Sequence, residues 1–100
     1  MRIAVPLETA QRERRVALVP ESCKKLVQAG LEISVEARAG QAAGFADAAY
    51  REVGATIEAD PAVLLGTADL VLKVGPPTRG PTGRDEIGWM RSGAIYLGSL

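Results

Sequence analysis

A parallel α/β sheet covered by helices is the fold class this sequence predicts, and three observations predict it. Short apolar runs alternate with segments of helical spacing along almost the whole chain. The run Asp69-Leu70-Val71-Leu72-Lys73-Val74 is nearly all apolar, as strands buried on both faces of a parallel sheet are. The links between elements are short, which suits strand–helix–strand crossovers on one sheet. The 100 residues make one domain or a portion of one, with enough chain for a modest core.

The elements follow in order. Arg2 to Val5 reads as a short buried strand closed by Pro6. A polar loop with Glu8, Arg12, Glu13, Arg14 and Arg15 leads through Val16-Ala17-Leu18-Val19 to Pro20-Glu21. A proline in the first turn followed by an acid marks a helix start. Cys23, Leu26 and Val27 fall at helical spacing, and Gly30 supplies the stop. Leu31 to Ala37 alternates Leu31, Ile33, Val35, Ala37 against Glu32, Ser34, Glu36, which predicts a strand with one less buried face. Gly40 to Phe45 reads as a flexible turn, and Asp47 opens a short helix through Tyr50 and Val53 to Gly54. Ala55 to Glu58 is a brief strand; Asp60-Pro61 caps a helix over Ala62 to Leu65 that Gly66 ends.

Asp69 to Val74 is the interior strand already noted. Gly75 to Gly83 has three prolines and three glycines, so it is a loop. Asp85 to Arg91 reads as a short amphipathic helix with Ile87 and Met90 inward, and Ala94 to Leu100 as a final apolar strand of interior character. An interior strand at that point suggests the amino-terminal portion of something longer.

Composition narrows function. Lys plus Arg equals Asp plus Glu at 12 each, so no overall electrostatic case exists for nucleic acid or an anionic membrane. Histidine is absent, which removes the commonest general base and metal ligand. The single cysteine, Cys23, permits no internal disulfide and reads as a small core residue. No run approaches the roughly 20 apolar residues of a membrane span, and the start lacks a signal-peptide pattern. The expectation is a soluble, cytoplasmic protein with no metal site. No G-x-G-x-x-G follows a strand, so the residues that contact a dinucleotide are not expected in this segment.

Two features point to an anion. Side chains at the carboxyl end of a strand are where open α/β sheets bind ligands, and the arginine loop lies there. Its alternative reading is a solvated charged loop. Lys73, in the last turn of an apolar strand, costs desolvation unless its ammonium reaches water, a counter-ion or a ligand. If the first and fourth strands are neighbours, Lys73 and the arginine loop emerge at one edge and can clamp an anion. The alternative is a snorkelling strand-end lysine. Phe45, Trp89 and Tyr96 are isolated aromatics and read as core.

Pro6-x-Glu8, Glu13-x-Arg15-Val16-Ala17, Pro20-x-Ser22 and Leu26-x-x-x-Gly30 resemble the opening signature of the alanine dehydrogenase and nicotinamide nucleotide transhydrogenase family. Asp69 to Val74 followed by Pro77 is similar to its second block. Ala4, Arg12 and Val19 depart from it, standing where glycine, asparagine and serine or threonine are usual. The resemblance implies a Rossmann- or flavodoxin-like three-layer α/β domain, with residues 1–100 its amino-terminal portion and the NAD-binding Rossmann domain further along. It also implies that alanine dehydrogenases use Arg15 and Lys73 to hold the carboxylate and carbonyl of pyruvate.

Gly40 to Phe45 and Asp85 to Ile95 look more like transhydrogenase alpha subunits. The resemblance there implies a subunit that binds NAD(H) and passes hydride to NADP(H) on a partner subunit, coupled to proton movement through a membrane subunit. It implies a homodimer that docks at the inner face of the cell membrane only through those partners. Alanine dehydrogenase is the second reading, and lysine-forming saccharopine dehydrogenase, with a similar start, a more distant third. An inactive scaffold or dimerising half-domain also fits the segment on its own.

Overall fold

The first strand of the chain is the centre of its sheet. In the computed structural model, which describes residues 1–9, 13–75 and 84–98, β1 (Arg2–Val5) lies between β2 (Glu32–Glu36) and β4 (Leu70–Lys73). β3 (Thr56–Glu58) and β5 (Ile95–Gly98) complete a five-stranded parallel sheet of order β3-β2-β1-β4-β5. The expected class is therefore the observed one. The chain winds outward from β1 through β2 to β3, then returns across to β4 and β5. That reversal makes the β1/β4 junction the topological switch point, where the carboxyl ends of such sheets open a crevice.

Alternation of side chains explains the layers. Ile3 and Val5 of β1 face one core with Ile33, Val35, Cys23 and Tyr50, under α1 (Pro20–Gln28) and α2 (Asp47–Glu52). Ala4 faces the opposite core with Val71, Leu64, Leu65 and Ala68, under α3 (Pro61–Gly66) and α4 (Glu86–Trp89). Ala4, which replaces the signature's usual glycine, is 1% exposed and takes part in that second core.

The helix ends follow the expected chemistry, with two exceptions. Asp60 caps α3, its Oδ1 accepting from the Ala62 N–H at 3.0 Å. Gly30, just past α1, takes the left-handed conformation at φ 93° that favours glycine. Val19 and Ala46, the N-caps of α1 and α2, supply no side-chain acceptor. Val19 stands where the resemblance implies serine or threonine, residue types that can cap.

One local expectation gains detail and three change. The expected turn at Gly40 to Phe45 is present as a 3-10 turn at Gln41–Ala43 closed by Gly44 in the left-handed region. Glu36, expected on the less buried face of β2, is 6% exposed because Arg84 and a backbone N–H satisfy its carboxylate. In α4 the most buried residue is Glu86, at 1%, while Ile87 is only half-buried. β5, expected to be interior, is an edge strand among the described residues, with Ile95 and Leu97 exposed. The expected Gly75–Gly83 loop, apart from Gly75, and Arg12, Pro77, Ser99 and Leu100 lie outside the described residues. Among the described residues no helix is long and apolar enough to cross a membrane.

Candidate functional site

Lys73 closes β4 with its side chain 2% exposed, so it is not a snorkelling lysine. It lies on the same side of the strand as Val71, which points it toward α4. Two carboxylates meet its ammonium: Glu8 at 3.5 Å and Glu86 at 3.3 Å. Glu8 reaches there from the loop after β1. Its Oε2 accepts from the Val74 N–H at 2.7 Å and its Oε1 from the Gly75 N–H at 3.0 Å. The Glu8 side chain is 3% exposed, so the crevice at the switch point is filled by a carboxylate of the chain itself.

Arg84 extends the network. Its guanidinium donates to both Glu36 oxygens at 2.5 and 3.0 Å, to Glu86 Oε2 at 2.7 Å and to the Leu7 carbonyl at 3.3 Å. Glu36 Oε1 also accepts from the Leu7 N–H at 2.9 Å. Glu8, Glu36 and Glu86 thus meet Lys73 and Arg84 at the carboxyl ends of β1, β2 and β4. Buried charges persist only when paired and hydrogen-bonded in this way.

Arg15 and Lys73 border one cleft of about 480 Å³ with Val16, Ala17, Leu72 and Leu97. The two residues singled out from the sequence are thereby brought together, although their charges are answered separately. Arg15 is 70% exposed and forks onto Glu13 at 2.9 and 3.0 Å, and its own N–H donates to Glu13 Oε2 at 2.9 Å. Arg15 is the solvent-exposed half of this pair while the Glu13 side chain is 13% exposed, so separating the two costs less than separating a fully buried pair. Displacing two buried carboxylates from Lys73 costs far more. Arg14 is exposed. A larger hollow of about 670 Å³ between Arg38 and Asp47 holds no buried charge, and Asp47 there already accepts from the Arg38 N–H at 2.8 Å.

The Glu13 contact has a pH signature. Hydrogen bonds from the Arg15 guanidinium and then its backbone N–H draw the Glu13 carboxyl from 4.5 down to about 2. A depressed folded pKa gives stabilisation that is complete above 4.5 and is lost as pH falls through about 2. A carboxyl-carbon NMR titration is therefore expected to place the Glu13 midpoint near 2; a midpoint near 4.5 would mean that the fork does not form in solution. Cys23, by contrast, is fully buried, and burial pushes its thiol up to about 11, as suits a core residue rather than a reactive one.

Among the described residues, those at the switch point do not fit a dinucleotide. A pyrophosphate at the switch point would meet the carboxylates of Glu8 and Glu86, and the amides of Val74 and Gly75 are already taken by Glu8.

Three members of the network are not singled out by the sequence. Glu36 sits in the polar phase of an alternating strand, Glu86 is an acid suited to a helix start, and Arg84 adjoins the Gly/Pro loop. Glu36 and Lys73 each end a strand with a charge, which is the one signal that could have joined them.

This is the architecture of a doubly wound α/β domain with an ionic lock at its switch point. Residues 4–100 match the family described as Alanine dehydrogenase/PNT, N-terminal domain, and the chain belongs to that family. It is 43% identical over 103 residues to the first portion of the NAD(P) transhydrogenase alpha subunit of Rhodospirillum rubrum, covering 100% of this chain and 27% of that protein. It is 48% identical over 77 residues to alanine dehydrogenase of Halomonas elongata, covering 77% of this chain and 21% of that protein. The crystal structure of transhydrogenase from Sinorhizobium meliloti superimposes with a TM-score of 0.81 at 31% identity, over 98% of this chain and 27% of that one. The chain thus spans about a quarter of the length of the relatives it matches.

Proposed function

We propose that this chain is the amino-terminal segment of the NAD(H)-binding alpha subunit of a proton-translocating NAD(P) transhydrogenase. The observation that carries this reading is coverage: the match to the Rhodospirillum rubrum subunit runs through 100% of the chain, against 77% for the alanine dehydrogenase. In this reading NAD(H) binds to the remainder of the subunit and NADP(H) to a partner subunit. Hydride passes directly between the two nicotinamides, whose reactivity is the cofactors' own. The segment supplies a rigid, ionically locked sheet on which the rest of a homodimeric subunit is built. The subunit sits on the cytoplasmic side, against a membrane subunit that moves protons.

Alanine dehydrogenase is the second reading, favoured by the 48% identity and by the shared cleft of Arg15 and Lys73. There Arg15 takes the carboxylate of pyruvate after exchanging Glu13 for it, and Lys73 borders the floor of the cleft.

Arg15→Ala in the full-length protein separates the two, because an exposed residue paired only to its near neighbour Glu13 carries little stability. The expected result is NADH-dependent reduction of NADP+ (or an analogue) within about twofold of wild type, and no pyruvate reduction in either protein. NADH- and ammonium-dependent reduction of pyruvate by the wild type, lost about 10–100-fold in Arg15→Ala, would replace the first reading by the second.

A further inference from the structure

The Glu8 carboxylate is held as a ligand is held. Two successive backbone N–H groups, of Val74 and Gly75, donate one to each of its oxygens at 2.7 and 3.0 Å. The Lys73 ammonium lies 3.5 Å from Oε1. Consecutive amides converging on one anion form a concavity of the kind that binds phosphates and carboxylates. This one lies at the carboxyl end of β4, at the switch point where open sheets take their ligands. A Cβ at position 75 would stand 3.4 Å from Glu8 Oε1, an ordinary van der Waals contact, which shows how close the carboxylate lies to the backbone. The occupant comes from 66 residues away in the chain, so the concavity is not a local turn motif.

We propose that the end of β4 is a carboxylate-binding cradle that the chain keeps filled with Glu8, and that a small free monocarboxylate takes the place of that side chain when it is removed. The donors are fixed by the sheet: Val74 follows the last residue of β4, and Lys73 is also paired with Glu86 at 3.3 Å. Formate matches the planar O–C–O group of Glu8 and fits the space that the side chain leaves. The cradle depends on these donors alone and not on which hydride reaction the full-length protein performs.

The test is Glu8→Ala in the full-length protein, read by hydrogen exchange and mass spectrometry over residues 70–75. Losing the acceptor is expected to speed exchange at the Val74 and Gly75 amides by about tenfold or more. Sodium formate is expected to return it toward wild type, and sodium chloride at equal ionic strength is not. Glu8→Gln keeps an oxygen in the cradle and is expected not to respond to formate. Exchange unchanged by Glu8→Ala, or an equal response to formate and chloride, overturns the proposal. If Glu8→Ala does not fold in plain buffer, refolding becomes the readout: recovery in formate alone supports the cradle, and recovery in neither salt or equally in both overturns it.

Discussion

Replacing Arg84 with methionine is expected to lower folding stability by about 3–5 kcal/mol at pH 7, read from urea unfolding with an unchanged slope. The guanidinium is the cation that answers Glu36, with both oxygens engaged, and it shares Glu86 with Lys73. Removing it leaves a carboxylate that is 6% exposed beside another that is 1% exposed. Such breakage costs far more than the intact pair contributes, because an uncompensated buried charge remains. Arg84→Lys keeps the charge and loses the fork, so it is expected to recover only some of the loss. Combining Arg84→Met with Glu36→Gln is expected to cost less than the sum of the two changes, since the charge left behind is then gone. A loss for Arg84→Met of under about 1 kcal/mol would show that the network does not hold α4 against the sheet.

Tyr50→Ala is expected to cost about 3–5 kcal/mol, and Tyr50→Phe about 1–3 kcal/mol. Tyr50 is fully buried in the core under α1 and α2, and its hydroxyl donates to the Leu18 carbonyl at 2.8 Å. The phenylalanine variant keeps the ring and orphans that carbonyl; the alanine variant also opens a cavity. Burial pushes the Tyr50 hydroxyl up to about 12, so the bond holds across the ordinary pH range. It ties down the segment just after Val16 and Ala17, which form a wall of the Arg15–Lys73 cleft. Gly40 shares the constraint, since a Cβ there would meet the Tyr50 hydroxyl at 2.6 Å. Equal stability of the wild type and Tyr50→Phe by thermal and urea unfolding would remove this tie.

The fold was legible because its elements announce themselves through spacing. Pro20, Gly30, Asp60-Pro61 and the apolar run at residues 70–74 each carry a local signal that needs no knowledge of the neighbours. The site was legible only at its rim. Lys73 stood out because a charge in an apolar strand violates a local pattern, whereas Glu36 obeyed its alternation and Glu86 obeyed helix-start chemistry. Their burial follows from partners that local spacing does not reveal; Glu36 and Arg84, for example, are 48 residues apart, and no periodicity encodes a pairing at that distance. Arg15 and Lys73 share a cleft because β1 and β4 are neighbours, which follows from the order of the strands. The charge balance of that cleft depends on Glu13, Glu8 and Glu86, and became readable only with the fold.

The central place of β1 has a consequence for timing. Its Ile3 pairs in register with Leu70 of β4, and Glu8 waits for the amides of Val74 and Gly75. At about 5–20 residues per second of synthesis, the first strand emerges roughly 3–13 s before its partner exists. During that interval β1 can pair only with β2, leaving its other edge and the Glu8 carboxylate in water. Closure of the switch point is thus a late event set by the ribosome's pace, and the lock around Lys73 can form only after residue 86 has left the exit tunnel.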